Sequence, residues 1–194
     1  PACGHIVFCD NIAAHWWIKT CLEQVGIAPE RIAVMNGIVT KEVVERQKIA
    51  LAFKGDDGDK GDPARGIEPM PPIPPEFDVV IGNAIMHEGV DLQRRTCAIH
   101  HLDLPYEPAT LQQRNGRGHR QGNKFTDISI LYYFARRSSD GGRYQLIKGK
   151  LGWMAALLDR QKRDTNNPGA QSNMTPEEEA IFESRDPEAT RCLI

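Results

Sequence analysis

The chain has 194 residues, 40% of them hydrophobic and 26% charged, with a formal net charge of −2. This is the composition of an ordinary soluble globular protein, long enough for one domain with a substantial core. No apolar run approaches the roughly 20 residues that span a bilayer, and no secretory signal pattern opens the chain.

The small net charge hides an asymmetry. Residues 94–163 carry 14 lysines and arginines against 5 acidic residues, whereas the stretch from Thr165 onward carries 2 basic residues against 6 acidic ones. A basic middle suits nucleic acid or nucleotide phosphates, although charge alone does not separate that from a solvated surface. The chain opens on Pro1 and a strand-like run follows within a few residues, which reads as a fragment of a longer protein. Five cysteines (Cys3, Cys9, Cys21, Cys97 and Cys192) are an odd number without pairwise metal spacing. They read as reduced thiols of a cytosolic or otherwise intracellular protein.

In chain order, His5–Cys9 is a continuous apolar run suited to a strand buried on both faces. Asp10 or Asn11 can cap a helix through about Val25, with Gly26 as its stop. Its apolar positions Ile12, Trp16, Trp17, Cys21, Leu22 and Val25 suggest a broad inward face, with both tryptophans in core or edge packing. Arg31–Met35 is a second strand, and Thr40 can cap a helix to about Phe53. The order β-α-β-α predicts a parallel sheet with crossover helices.

Residues 54–76 break the pattern with six of the thirteen prolines and four glycines. They read as an exposed, mobile insertion with no regular helix or strand, and its aspartates as a solvated acidic loop. Strands resume at Phe77–Gly82, Thr96–Leu102 and Asp127–Phe134, the last with Tyr132, Tyr133 and Phe134 in the core. A helix follows from about Arg143 to Arg163. Asn166-Asn-Pro-Gly is a break, and a short acidic helix capped by Thr175 begins the C-terminal extension. The adjacent His100 and His101 point to opposite faces of their strand, which argues against a metal cluster with His119.

Pro108 to Asn123 is locally the poorest and chemically the richest stretch. Pro108 suits a first helical turn and Gly122 can end the helix. Gly116 and Gly118 each cost about 1 kcal/mol there relative to alanine. Gln113, Arg117 and Arg120 fall at i, i+4 and i+7, and two guanidiniums with an amide suit a phosphate. The loops 83–91 and 104–123 both follow strands. Ligands of open α/β sheets gather at strand carboxyl ends, so Gly89, Asp91, Gln113, Arg117 and Arg120 are expected at one sheet edge. No G-x-x-x-x-G-K-[ST] loop occurs in the chain. A nucleotide met by these arginines would therefore be held largely by another domain.

The run Gln113-Arg-Asn-Gly-Arg-Gly-His-Arg-Gln-Gly122 resembles the sixth motif of superfamily-two helicases, Q-x-x-G-R-x-x-R-x-G. Leu102-Asp-Leu-Pro-Tyr-Glu-Pro-Ala-Thr110 is similar to the D-L-P-W-N-P-A-T run of Swi/Snf-type DNA translocases. Glu88-Gly-Val-Asp-Leu-Gln93 resembles their fifth motif, His5–Cys9 sits where the fourth begins, and Glu45–Phe53 matches a helix common in the family. The chain also resembles the helicase part of phage anti-restriction proteins that carry a methylase module.

The resemblance implies a second RecA-like motor domain over residues 1–163, with an open parallel sheet of five to six strands and helices on both faces. Residues 164–194 would be an acidic extension or linker. ATP with Mg²⁺ would be bound mainly by an N-terminal RecA-like domain absent from this chain. Arg120 would be the arginine finger, Arg117 a second γ-phosphate contact and Gln113 a coupling residue, with Gly89 and Asp91 near the nucleotide. Asn83, Asn36 and Gly37 would meet nucleic acid, DNA in the first instance with RNA open. Asn83 stands where Thr or Ser is usual, and Asp91 where Swi/Snf-type proteins have Asn. The fragment alone would be inactive. The alternative is a non-catalytic nucleic-acid or protein-docking module of the same fold. A methyltransferase or dehydrogenase would need a Gly-rich first turn, which Cys9-Asp-Asn-Ile does not supply.

Overall fold

The five apolar runs become five parallel strands because each is buried on both faces or flanked by turn residues. The computed structural model describes residues 3–61, 65, 68–87, 89–135 and 138–158. Strands β1 (Gly4–Phe8), β2 (Ile32–Met35), β3 (Val79–Gly82), β4 (Thr96–His101) and β5 (Ser129–Tyr132) form one sheet in the order β2-β3-β1-β4-β5. Helices α1 (Ala14–Gln24), α2 (Val43–Lys54), α3 (Pro108–Asn115) and α4 (Asp140–Leu158) complete the described elements. The contacts divide the chain into two units, one of Pro1–Asp103 with Gln113–Tyr133, the other of Leu104–Gln112 with Phe134–Ile194.

Strand alternation sorts the core of the first unit into two layers. Ile6, Phe8, Ala33, Met35, Val80 and Ile99 pack with Ala50 and Phe53 of α2. Val7, Ile32, Val34, Val79 and Ile81 pack on the other face with Ile18 of α1, and Leu22 lies against them. The two crossover helices therefore cover opposite faces, as β-α-β units require.

The inward face of α1 differs from the one expected. His15 and Ile18 are buried, whereas Trp16 is 55% and Trp17 69% exposed, and Val25 is also exposed. A histidine takes the core position because both ring nitrogens are satisfied: Nε2 meets the Cys9 carbonyl at 2.7 Å and Nδ1 meets Asn36 Nδ2 at 3.0 Å. Helix α2 starts later than Thr40. The Glu45 carboxylate accepts the Glu42 backbone N–H at its start, and the Thr40 hydroxyl instead donates to the Asn36 carbonyl. The last strand is an exposed edge, with Tyr133 and Phe134 out of the core, contrary to expectation.

The amino edge of the sheet is held by buried charge. Arg95 is buried and donates to the carbonyls of Phe53, Phe77 and Cys3 and to Asp78 Oδ1 at 2.9 Å. Asp78 also pairs with Arg31 at 2.7 Å. Burial opposes ionisation of Asp78, yet the Arg31 and Arg95 guanidiniums hold its carboxyl below the ordinary range.

The segment after α2 is more ordered than its composition suggests. Asp56 bridges Ile73 and Asp59 bridges Met70 in antiparallel pairs, with Gly55, Gly58 and Gly61 at positive φ. Asp57 is tied to Arg94 at 2.8 Å and to the Lys124 ammonium, so this aspartate is an ion-pair partner and not merely solvated. Cys3 and Cys97 are bonded to each other, with Cα atoms 5.6 Å apart, which corrects the expectation of five reduced thiols. Glu88, Arg136, Arg137 and the acidic C-terminal extension lie outside the described residues.

In the second unit, Arg143 of α4 donates to the Leu104 carbonyl at 3.1 Å and to the Tyr106 hydroxyl at 2.8 Å. Its guanidinium lies 4.2 Å from the Tyr106 ring centroid, a cation–π contact that orders the Leu-Pro-Tyr run.

Candidate nucleotide-contacting site

The Pro108–Asn123 stretch is seated by an arginine that sequence reasoning left unassigned. Helix α3 ends at Asn115, well before Gly122. Its buried positions are Pro108, Leu111 and Arg114, at successive i+3 spacings, and Gln112 and Gln113 are exposed. Arg114 is 0% exposed. Its guanidinium donates to Asp10 Oδ2 at 2.6 Å and Asp103 Oδ1 at 3.1 Å, and lies 5.2 Å from the Phe8 ring centroid. Asp10 and Asp103 follow β1 and β4, so within the first unit this cation ties the part of the stretch that begins at Gln113 to the carboxyl edge of two neighbouring strands. The Asp103 carboxylate also accepts the Asp10 backbone N–H.

Beyond α3 the chain runs back along β4. A side chain on Gly118 would meet Thr96 Cγ2 at 2.8 Å and Ile99 Cδ1 at 2.9 Å, so only glycine lets the backbone lie this close. Asn123 Nδ2 donates to the carbonyls of Thr96 and Gly118, both at 2.8 Å, and the Lys124 N–H to the Arg94 carbonyl. Gly118, which would weaken a helix, is therefore used for close packing. Residues 117 and 120 are not on α3 at all; on this return path Arg117 is half-buried and Arg120 exposed.

The predicted site residues are partly gathered. Arg117 Nη1 donates to the Val90 carbonyl at 3.0 Å, which joins it to the Gly89–Asp91 loop. Val90 itself belongs to the buried layer that holds Ile99. Gly89 has φ +69°, a conformation that favours glycine. Asp91 is half exposed and pairs with Lys54 at 3.2 Å. Gln113 and Arg120 are exposed, and among the described residues no side-chain hydrogen bond engages either.

The proposed nucleic-acid contacts have internal duties. Asn36 is buried, and its Oδ1 accepts the N–H groups of Ile38 and Val39 at 3.0 Å each. Its side chain shapes the turn after β2, and the neighbouring Gly37 is exposed. Asn83 Oδ1 accepts the Ile85 N–H at 3.3 Å and so caps the 3₁₀ turn after β3.

Neighbouring ionisable groups are quiet. Burial, then the Asp103 carboxylate, pushes the Cys9 thiol up to about 11, so it is protonated and not a nucleophile. His101 is buried, stacked between Phe8 and Tyr132 with centroids 5.6 and 5.0 Å away, and bonded to Asn115 Oδ1 at 2.8 Å. Burial pushes its pKa down to about 4. His100 points to the opposite face, as expected, towards His5 and Tyr133.

Replacing Arg114 by alanine leaves two facing carboxylates without their cation, and should lower unfolding free energy by about 2–4 kcal/mol. Arg114→Lys should recover only part of that, because a lysine cannot reproduce the forked contact. Urea unfolding of the three proteins measures this, and a loss below about 0.5 kcal/mol in Arg114→Ala, the range of ordinary surface substitutions, would contradict the anchoring role. His101 supplies a pH signature. Below its ordinary pKa of 6.5 the unfolded chain gains a proton that the folded chain refuses until about 4. Stability should therefore fall by about 2–3 kcal/mol as pH drops through that window. His101→Gln should flatten the slope between pH 6.5 and 4, and an unchanged slope would exclude His101 as its source.

No protein-family model matches this sequence. Over 92 residues it is 38% identical to Defense against restriction protein B of Escherichia phage P1, a match that covers 47% of this chain and 4% of that protein. The chain thus corresponds to a small part of that relative's length. In fold it is similar to the C-terminal part of the Fun30 ATPase domain, with TM-score 0.57, 15% identity, and 93% of this chain and 47% of that one covered. It is also similar to the C-terminal domain of the DEAD-box protein Dbp5, with TM-score 0.52, 18% identity and coverages of 78% and 72%. A DEAD box protein from the hyperthermophile Methanococcus jannaschii gives TM-score 0.52, 17% identity and coverages of 77% and 33%. The five-stranded parallel sheet with its flanking helices is therefore a RecA-like α/β fold, of the kind found in the C-terminal part of the Fun30 ATPase domain and the C-terminal domain of Dbp5.

Proposed function

We propose that this chain is the second motor domain of an ATP-dependent helicase or translocase, of the Swi/Snf-type branch, acting on DNA. The observation that carries the reading is the contact of Arg117 with the Val90 carbonyl, which joins the sixth-motif stretch to the Gly89–Asp91 loop. With Arg114 holding the stretch from inside, Arg120 is left exposed to face a partner domain. The likeness to Defense against restriction protein B supports a phage-type anti-restriction setting. The RNA-bound neighbour Dbp5 keeps RNA as an alternative strand.

On this reading ATP with Mg²⁺ is bound mainly by an N-terminal RecA-like domain. Arg120 is exposed at the phosphate end of this reading, Arg117 is half-buried and bonded to the Val90 carbonyl, and Asp91 is paired with Lys54. Arg120 and Arg117 would stabilise the charge that develops on the transferred phosphoryl group, which is an electrostatic role and forms no bond to the protein. Gln113 couples that event to domain closure. Gly37 and Asn83 lie on turns that follow strands β2 and β3, and on this reading present backbone and amide donors to a strand phosphate. The chain alone should hydrolyse no ATP.

A docking module is the second reading, and the exposure of Trp16 and Trp17 favours it. The two separate in the full protein that carries this domain. Arg120→Ala should lower ATP turnover by about 10³-fold or more while leaving ATP binding largely intact. Wild-type turnover in that variant would remove the arginine-finger assignment. Nucleic-acid binding by a full protein that hydrolyses no ATP would favour the docking module.

A further inference from the structure

Three soft ligands meet at the amino edge of the sheet, on the face opposite the arginine stretch. Cys3 precedes β1, His5 lies within it, and Cys97 lies in β4. In the pairing of β1 with β4, Gly4 is opposite Thr96 and His5 is opposite Ala98. Cys97 is thus an extra, bulged residue, and a bulge re-aims a side chain. It also leaves Thr96 and Ile99 on the same face, where both meet Gly118. The result brings Cys3 Sγ, Cys97 Sγ and a ring nitrogen of His5 within 4.8 Å of one another.

The histidine is oriented like a ligand. His5 Nδ1 is 3.0 Å from His100 Nε2, and His100 Nδ1 is 2.8 Å from the Tyr133 hydroxyl. This relay occupies one ring nitrogen of His5 and leaves Nε2 facing both sulfurs, at 3.6 Å from Cys3 Sγ and 3.7 Å from Cys97 Sγ. Metal-bound histidines are held through their second nitrogen in this way. Two ligand atoms of one tetrahedral zinc, at bond lengths near 2.3 Å to sulfur and 2.0–2.1 Å to nitrogen, lie about 3.5–3.8 Å apart. Both sulfur–nitrogen separations already match.

We propose that, when its thiols are reduced, the chain binds one Zn²⁺-class ion through Cys3 Sγ, Cys97 Sγ and His5 Nε2. Cys3 is exposed, so a fourth position is open to water. In the structure described here the two sulfurs are joined, and the bonded and metal-bound forms exclude each other. A thiol reductant cleaves the S–S bond by exchange, giving two protein thiols and the oxidised reductant. Metal binding then releases the two thiol protons, so that two thiolates and a neutral imidazole hold the dication. Soft thiolates select zinc-like ions over magnesium or calcium. The ion would clasp β1 to β4 at the end of the strands opposite Arg114, independently of the nucleotide reading.

The test uses the full chain, reduced and freed of reductant, titrated with Zn²⁺ alone against a chromophoric chelator. A parallel Co²⁺ titration reads the thiolate-to-metal absorption of a tetrahedral site. One ion per chain is expected, with none bound after reoxidation. Cys3→Ser, Cys97→Ser and His5→Gln should each weaken binding at least tenfold, and His100→Gln about 10- to 100-fold. Cys21→Ser should bind as wild type. Circular dichroism confirms which variants are folded, and Cys3→Ser, at an exposed residue outside the strand, keeps the test decisive if the strand variants are not. Failure of the folded, reduced chain to bind Zn²⁺ would overturn the proposal. So would binding that survives Cys3→Ser unchanged.

Discussion

The buried guanidinium of Arg114 is the contact on which the geometry of the site depends. It is a full charge taken out of water, and such a charge is tolerated only when paired with carboxylates; both terminal nitrogens are paired here, and only its Nε is left without a partner among the described residues. Asp10 and Asp103 supply the carboxylates, and Phe8 supplies a ring face. Because both aspartates directly follow central, adjacent strands, their positions are set by the sheet ladder. The stretch that carries Arg117 and Arg120 therefore inherits the rigidity of the core without burying those two residues. Gly118 and Asn123 then lay the rest of the stretch along β4.

A second buried cation does the corresponding work at the other end of the strands. Arg95 gathers the carbonyls of Phe53, Phe77 and Cys3 and shares Asp78 with Arg31. Parallel strands present unpaired backbone groups at both ends, and these must find partners when buried. Here an arginine satisfies several at once at the amino edge. The Cys3, His5 and Cys97 cluster lies next to it, since the Cys3 carbonyl is one of the groups that Arg95 holds.

Strands were legible because continuous apolar runs bounded by turn residues have few other uses in a chain of this size. Their order in the sheet was not, since pairing depends on contacts far apart in sequence. The inward face of α1 is not legible from hydrophobicity for a physical reason: hydrophobicity counts Trp16 and Trp17 as core, but His15 with both ring nitrogens bonded takes the buried position. The burial of Arg114 is not legible in the sequence because a charged residue reads as surface until its carboxylates are located. Its i+3 spacing from Leu111 was the available signal. The soft-ligand cluster was invisible in one dimension, since Cys3 and Cys97 meet only through β1–β4 pairing and a bulge. The motif residues were legible as residues, whereas the bond that joins two of the motifs, Arg117 to the Val90 carbonyl, was not.

The central claim is that Arg117 and Arg120 face a nucleotide held by another domain. The most direct measurement is a structure of the full protein with ADP and a mimic of the transferred phosphoryl group bound. The account predicts both guanidiniums within hydrogen-bonding distance of that mimic, with Arg114 still buried between Asp10 and Asp103. A closed complex in which both side chains point away from the phosphates would contradict it.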